Sequence, residues 1–215
     1  MTQLRTVLFD LDGTLIDSIE LILESYHHTL AAHGREPVSD AEWLAGVGTP
    51  LRVQLRRAAR SEEDLVALAA TYREYNLAHH DRMIRPFPGV TELVLELRAA
   101  GYRTGVVTSK NREGTLRGLR LVGLEAAIEI LVCADDVTNP KPHPEPVERA
   151  VTELGADRAS TIYIGDSIHD LHSGRAAGVR TGAVLWGPFS RTDLEPARPD
   201  FWFERPEHLR RLLLP

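Results

Sequence analysis

Short apolar runs recur along this chain, and stretches with helical spacing separate most of them. The runs are residues 5–9, 103–108, 128–133, 161–165 and 182–186, with a weaker one at 201–203. Apolar runs of this length suit strands buried on both faces. Their alternation with amphipathic helices predicts an α/β fold built on a doubly wound parallel sheet. The last weak run and the apolar spacing over residues 206–214 read as an edge strand and a closing helix, with no part in chemistry.

One interval breaks the alternation. Between the first run and the helix near Pro88, roughly seventy residues lack a convincing strand and carry several helix signals. Asp17-x-x-Glu20 has the form of a capping box and opens a helix to about Ala32; Ser39-x-x-Glu42 opens a second. Ser61 opens a third, with apolar spacing through Leu65, Leu68, Tyr72 and Tyr75. The pattern predicts a small helical domain over residues 16–84, inserted into a core formed by 1–15 and 85–215. The second border, residues 84–89, is rich in Pro and Gly, as a hinge should be.

Composition narrows the picture. A chain of 215 residues can bury a core without staples, and a single cysteine, Cys133, excludes an intramolecular disulfide. Cys133 ends an apolar run and reads as a small buried hydrophobe. With no signal segment and no span of membrane length, the expected setting is the cytoplasm, with no membrane partner. The net charge of -6 gives no global drive toward nucleic acid. Arg52, Arg56, Arg57 and Arg60 form a local basic cluster that reads as a solvated helix face.

The chemistry concentrates at the ends of the apolar runs. Thr6-Val7-Leu8-Phe9-Asp10-Leu11-Asp12-Gly13-Thr14 delivers two carboxylates, two residues apart, to a strand end. In an open parallel sheet, ligands bind in the crevice outside the carboxyl ends of strands. Two like charges held this close call for a cation or a shared proton, and hard oxygen ligands beside a phosphate favour Mg²⁺. A plain polar turn is the alternative.

Three later segments add to the first. Val107-Thr108-Ser109-Lys110 puts hydroxyls at a strand end, where they bind an anion or cap the next helix. Asn139-Pro140-Lys141-Pro142 fixes a lysine between two prolines. Ile164-Gly165-Asp166-Ser167-Ile168-His169-Asp170 ends a strand in one carboxylate and repeats one four residues on. Ser167-x-x-Asp170 also has capping-box form, so Asp170 has a structural reading beside a functional one. His169 and His172 are three apart on a predicted helix, a spacing open to a transition metal but read here as a solvated face.

In this order, Asp-x-Asp, Thr, Lys and Asp resemble the four motifs of the haloacid dehalogenase superfamily of phosphotransferases, over essentially the whole chain. The resemblance implies that Asp10 is a nucleophile forming an aspartyl-phosphate and that Asp12 is the acid/base group. It implies that Thr108, Ser109 and Lys141 hold phosphoryl oxygens. Asp10, the Asp12 main-chain carbonyl, Asp166 and Asp170 would form the Mg²⁺ site. It further implies a Rossmann-like core with a helical cap that closes over a small phosphorylated metabolite.

An acid at Asp12 points within that superfamily to phosphate esters or anhydrides rather than halides. Val107-Thr108-Ser109-Lys110-Asn111-Arg112, Lys141-Pro142-His143-Pro144-Glu145-Pro146 and Gly46-Val47-Gly48-Thr49-Pro50-Leu51 look like phosphoglycolate phosphatase and pyrophosphatase-like members. Many relatives carry Asp where His143 stands. Gly48 and Arg52, between cap helices, are assigned to substrate selection, against an ordinary linking turn. Related β-phosphoglucomutases use a cap histidine near the position of Ile22, with His27 and His28 following here, which disfavours a mutase. A receiver-like phospho-switch is the remaining alternative, against which the long insertion speaks.

Overall fold

The computed structural model describes residues 3–214. Its central sheet contains β1 (Thr6–Phe9), β4 (Arg103–Val107), β5 (Ile130–Val132), β6 (Thr161–Gly165), β7 (Arg180–Val184) and β8 (Phe201–Phe203). The order is β5-β4-β1-β6-β7-β8, and every pairing is parallel. The predicted α/β fold with a doubly wound, Rossmann-like sheet is therefore the fold observed.

Side-chain alternation splits the core in two. Val7 and Phe9 of β1 pack with Ile162 and Ile164 on one face, while Leu8 and Tyr163 pack with Val107 and Val151 on the other. Each such aliphatic side chain, fully withdrawn from water, contributes about 2 kcal/mol. Helices α5 (Val90–Ala99), α6 (Arg112–Leu121), α7 (Glu145–Glu153), α8 (Ile168–Ala176) and α10 (Pro206–Leu213) are the larger helices of this part of the chain; a short turn, α9 (Arg191–Leu194), precedes the last strand.

Between β1 and α5 the chain forms α1 (Ile19–Ala32), α2 (Asp40–Leu44), α3 (Leu51–Leu55) and α4 (Glu62–Met83). A two-stranded antiparallel ribbon, β2 (Ile16–Asp17) with β3 (Arg85–Pro86), ties the entry of this segment to its exit. The helices enclose a separate cluster that includes Tyr26, Leu30, Trp43, Leu65 and Leu68, with Tyr26 stacked on Trp43 at 3.7 Å.

Three local expectations shift. The run at 128–133 pairs only over Ile130–Val132, and that at 182–186 starts earlier, at Arg180, and ends at Val184. Trp186 has left the sheet, and its Nε1 donates to Thr14 O at 3.0 Å. The Asp17-x-x-Glu20 box does not form, because Asp17 is paired in β2 and Ser18, the residue before α1, turns its hydroxyl to Asp12. The caps at Ser39 and Ser61 do form, each accepting from the backbone three residues on. Cys133 is buried beyond β5, and its thiol is pushed up to about 11 by burial.

Candidate active site

Three adjacent strands supply the site. Phe9 of β1 sits in register with Val106 of β4 and Ile164 of β6, so the residues that follow these strands emerge side by side. These are Asp10, Thr108 and Asp166, all buried. Because β1 lies between strands reached by opposite crossovers, the crevice at its carboxyl end is the topological switch point of the sheet.

Asp10 extends the ladder for one residue, its N–H donating to Ile164 O at 2.8 Å. Its carboxylate accepts from Lys141 Nζ at 2.9 Å. The same ammonium donates to Asp170 Oδ1 at 2.6 Å and to the Tyr163 hydroxyl at 3.1 Å. All three ammonium protons thus have partners, as a lysine only 2 % exposed requires. Burial opposes this charge, but Asp10 and Asp170 outweigh it and hold the Lys141 pKa above its ordinary value.

Asp170 answers both of its readings. Its Oδ2 accepts from Ser167 N at 3.0 Å and Ser167 Oγ at 2.6 Å, completing a capping box at the start of α8. Its Oδ1 faces Lys141, with the Tyr163 hydroxyl at 2.9 Å. Burial works against this carboxylate, yet the Lys141 charge and its hydrogen bonds hold its pKa below the usual range.

Asp10 and Asp166 go the other way. Burial, then the Asp170 charge, pushes Asp10 up to about 7, and the same two causes in the same order raise Asp166 well above the carboxylate range. Asp166 Oδ1 accepts from Thr14 Oγ1 at 2.9 Å, while its Oδ2 is buried without a partner. The space around it is kept by glycines: a Cβ on Gly13 would lie 2.5 Å from Asp166 Oδ2, and one on Gly187 would lie 2.6 Å from Asp166 Cβ. One oxygen from each of Asp10, Asp166 and Asp170 falls within 4.8 Å of the others. An orphaned carboxylate oxygen in a buried cluster of carboxylates fits a hard divalent cation.

Asp12 stands apart from that cluster. The strand stops at Phe9, and Asp12, beyond its end, has its own partners. Ser18 Oγ donates to its Oδ1 at 2.6 Å, and Lys110 Nζ lies 2.9 and 3.1 Å from its two oxygens. As a metal ligand it retains only the main-chain carbonyl that the resemblance implies.

Thr108 and Ser109 do not cap α6, whose N-cap is Asn111. Thr108 Oγ1 accepts from Lys110 N at 3.2 Å. Ser109 Oγ crosses to the inserted segment and donates to Gly48 O at 2.6 Å. Gly48 has φ +96°, and a Cβ there would lie 2.6 Å from Ser167 Oγ. The 46–51 loop is thus seated on the core. Gln54 holds the same loop from its own side, its Nε2 donating to Thr49 O at 2.8 Å.

A cavity of about 260 Å³ joins these parts, with Asp10, Asp12, Thr108 and Asp166 on one wall and Gly48, Arg52 and Tyr72 on the other. Arg52 pairs with Glu62 at 3.1 Å and edges this wall while its side chain stays exposed, as the solvated-face reading of the arginine cluster expects. His169 is not on a solvated face: it is half-buried against Gly48, and burial lowers its pKa. His172 is exposed, and neither histidine joins a metal-ligating group among the described residues. Ile22 lines the cavity, while His27 pairs with Asp40 and His28 stacks on Tyr75.

Sequence reasoning passed over Lys110, Ser18, Thr14 and Tyr163. Lys110 carries the one usable signal, since it directly follows the strand-end hydroxyls. The others act by contacts across some 6 to 152 residues of chain, which no local pattern encodes.

Residues 7–184 match the family described as haloacid dehalogenase-like hydrolase. A relative from Halalkalibacterium halodurans named Pyrophosphatase PpaX is 41% identical over 199 residues, covering 93% of this chain and 92% of its own. A relative of the same name from Bacillus pumilus is 39% identical over 205 residues, 95% and 94% of the two chains. Among solved structures, one titled a predicted phosphoglycolate phosphatase from Haemophilus somnus 129pt superposes with TM-score 0.90 at 22% identity over 99% of both chains. The chain belongs to the haloacid dehalogenase-like hydrolase family. It is an enzyme of the phosphatase type within that family, in agreement with the expectation from its motifs.

Proposed function

We propose that this protein is a Mg²⁺-dependent phosphatase that hydrolyses pyrophosphate or a small phosphate ester of the phosphoglycolate kind through an aspartyl-phosphate on Asp10. The observation that carries the reading is the Lys141–Asp10 contact at 2.9 Å, beside the orphaned Asp166 Oδ2. A nucleophile, a fixed cation and an unpartnered carboxylate oxygen then share one buried crevice. The relatives named pyrophosphatase support the anhydride over the ester.

The chemistry divides into two in-line transfers. Asp10 attacks phosphorus, the bond to the leaving oxygen breaks, and the phosphoryl group passes to the carboxylate. Asp12, held by Ser18 and Lys110, gives a proton to the leaving group where one is needed. It then takes a proton from water, which attacks phosphorus, frees phosphate and restores Asp10. Lys141 and Thr108 neutralise and orient the phosphoryl oxygens. Mg²⁺ would be held by Asp10, Asp166 and the Asp12 carbonyl, and would offset the charge on the phosphoryl group and the carboxylates. Asp170, with both oxygens engaged inside the protein, acts by placing Lys141.

Residues 16–84 serve as a cap that excludes water, with Gly48 and Arg52 on the substrate side of its loop. Barriers to uncatalysed monoester hydrolysis are large, with enhancements of order 10²¹ known for the class, so exclusion of bulk water is useful. The test is phosphate release from pyrophosphate, phosphoglycolate, sugar phosphates and nucleotides, with Mg²⁺ or chelator. Mg²⁺-dependent release led by pyrophosphate supports the reading; isomerised sugar phosphate without net release would make the protein a mutase, and a stable phosphoprotein without turnover would make it a switch.

A further inference from the structure

The cavity is divided by charge. Its lining carboxylates, Asp10, Asp12, Glu113, Asp135 and Asp166, all lie outside the inserted helices. The wall contributed by the inserted helices carries Arg52 and Arg73 and no carboxylate. Lys110 on the core side is held by Asp12, and Arg52 by Glu62. Arg73, in contrast, has no hydrogen-bond or ion-pair partner among the described residues. It stands on α4 one turn before Asn76 and Leu77, which line the same cavity and so share its helix face.

We infer that Arg73 is a specificity-determining residue that binds a second anionic group on the substrate, a step that rests on the phosphatase reading above. With the reacting phosphoryl group seated at Asp10 and Thr108, the remainder of the substrate occupies the space bounded by the inserted helices. That wall is apolar at Ile22, Tyr26 and Tyr72, and at its solvent-exposed edge the Arg73 guanidinium lacks a counter-charge from the described residues. A leaving group that is itself an anion, a phosphate or a carboxylate one or two bonds from the bridging oxygen, supplies it. A planar guanidinium takes either anion with paired N–H donors. The substrate class is therefore a phosphoryl compound bearing a second negative charge, rather than an ester of a neutral alcohol.

The experiment compares wild type, Arg73→Met and Arg73→Lys with Mg²⁺ on pyrophosphate and on phenyl phosphate, whose leaving group carries no second anionic group. Arg73→Met should lower the ratio of the two kcat/KM values about tenfold or more, chiefly through KM for pyrophosphate, and Arg73→Lys should recover part of it. A ratio that stays within about twofold of wild type overturns the assignment. A binding arm separates this from the phosphatase reading: in an Asp10→Asn background, methylenediphosphonate and methylphosphonate are titrated by calorimetry. If wild type turns over no phosphate compound, the phosphatase reading fails. Selective weakening of methylenediphosphonate by Arg73→Met still supports the anion site, and equal binding overturns it.

Discussion

Lys110 Nζ sits 2.9 Å from one oxygen of Asp12 and 3.1 Å from the other, so a single ammonium spans the carboxylate proposed to handle protons. Ser18, at the entry of the inserted segment, donates to the same carboxylate at 2.6 Å. Lys110→Met should lower kcat by about tenfold to a hundredfold, the range for a lost charge-assisted hydrogen bond. Steady-state kinetics on pyrophosphate checks it; an unchanged kcat would show that Ser18 alone orients Asp12.

The Lys141–Asp170 pair is buried on both sides at 2.6 Å. Asp170→Asn removes one charge and leaves Lys141 with Asp10 as its single ion-pair partner among the described residues, and breaking such a pair costs about 3 kcal/mol or more. Urea unfolding of the metal-free protein should show a loss of that size, together with a fall in kcat as Lys141 loses its second anchor. A change below about 1 kcal/mol would mean that Asp10 and Tyr163 suffice to hold the lysine.

Metal binding and pH are linked through Asp10. Its folded-state value is about 7 against an ordinary 3.8, so its favourable contribution is present below pH 4 and is lost as pH rises through about 7. Asp166 shifts in the same direction, while Asp170 shifts down and contributes above its ordinary value. In chelator, the stability tied to Asp10 and Asp166 therefore falls with rising pH, and a divalent cation offsets the loss. The increase in Tm on adding Mg²⁺ should be about twice as large or more at pH 8 as at pH 5. Equal increments by differential scanning calorimetry would contradict this coupling.

Gly48 tests how the loop seats on the core. With φ +96° and Ser167 Oγ 2.6 Å from its missing Cβ, Gly48→Ala must shift the loop off its contact with Ser109. Backbone strain of about 1–2 kcal/mol is expected, yet it falls on a loop rather than a core element. Activity should drop about tenfold or more, through KM as well as kcat, while Tm moves by only a few degrees. A variant with wild-type kinetics would remove Gly48 from the substrate wall.

The sheet and its order of strand-end residues were legible because both depend on local pattern. Continuous apolar runs and their polar successors sit within a few residues of each other, and parallel pairing then places Asp10, Thr108 and Asp166 together. The helical insertion was legible for the same reason at Ser39 and Ser61, where caps are local. Asp17 misled because a capping motif competes with ribbon pairing to Arg85, a partner far along the chain. Lys110 with Asp12, Thr14 with Asp166 and Arg73 on the cavity wall are tertiary facts, fixed only when the strands and the insertion meet.

In the proposed mechanism Asp10 carries the phosphoryl group during turnover. Asp12→Asn should slow the second transfer and let the intermediate accumulate with pyrophosphate, whose leaving group departs without an acid. Acid quench, proteolysis and mass spectrometry should then find one added phosphoryl group on the peptide containing Asp10, removable by hydroxylamine and absent in Asp10→Asn. Turnover that persists in Asp10→Asn, with no phosphorylated peptide at any time point, would rule out Asp10 as the nucleophile.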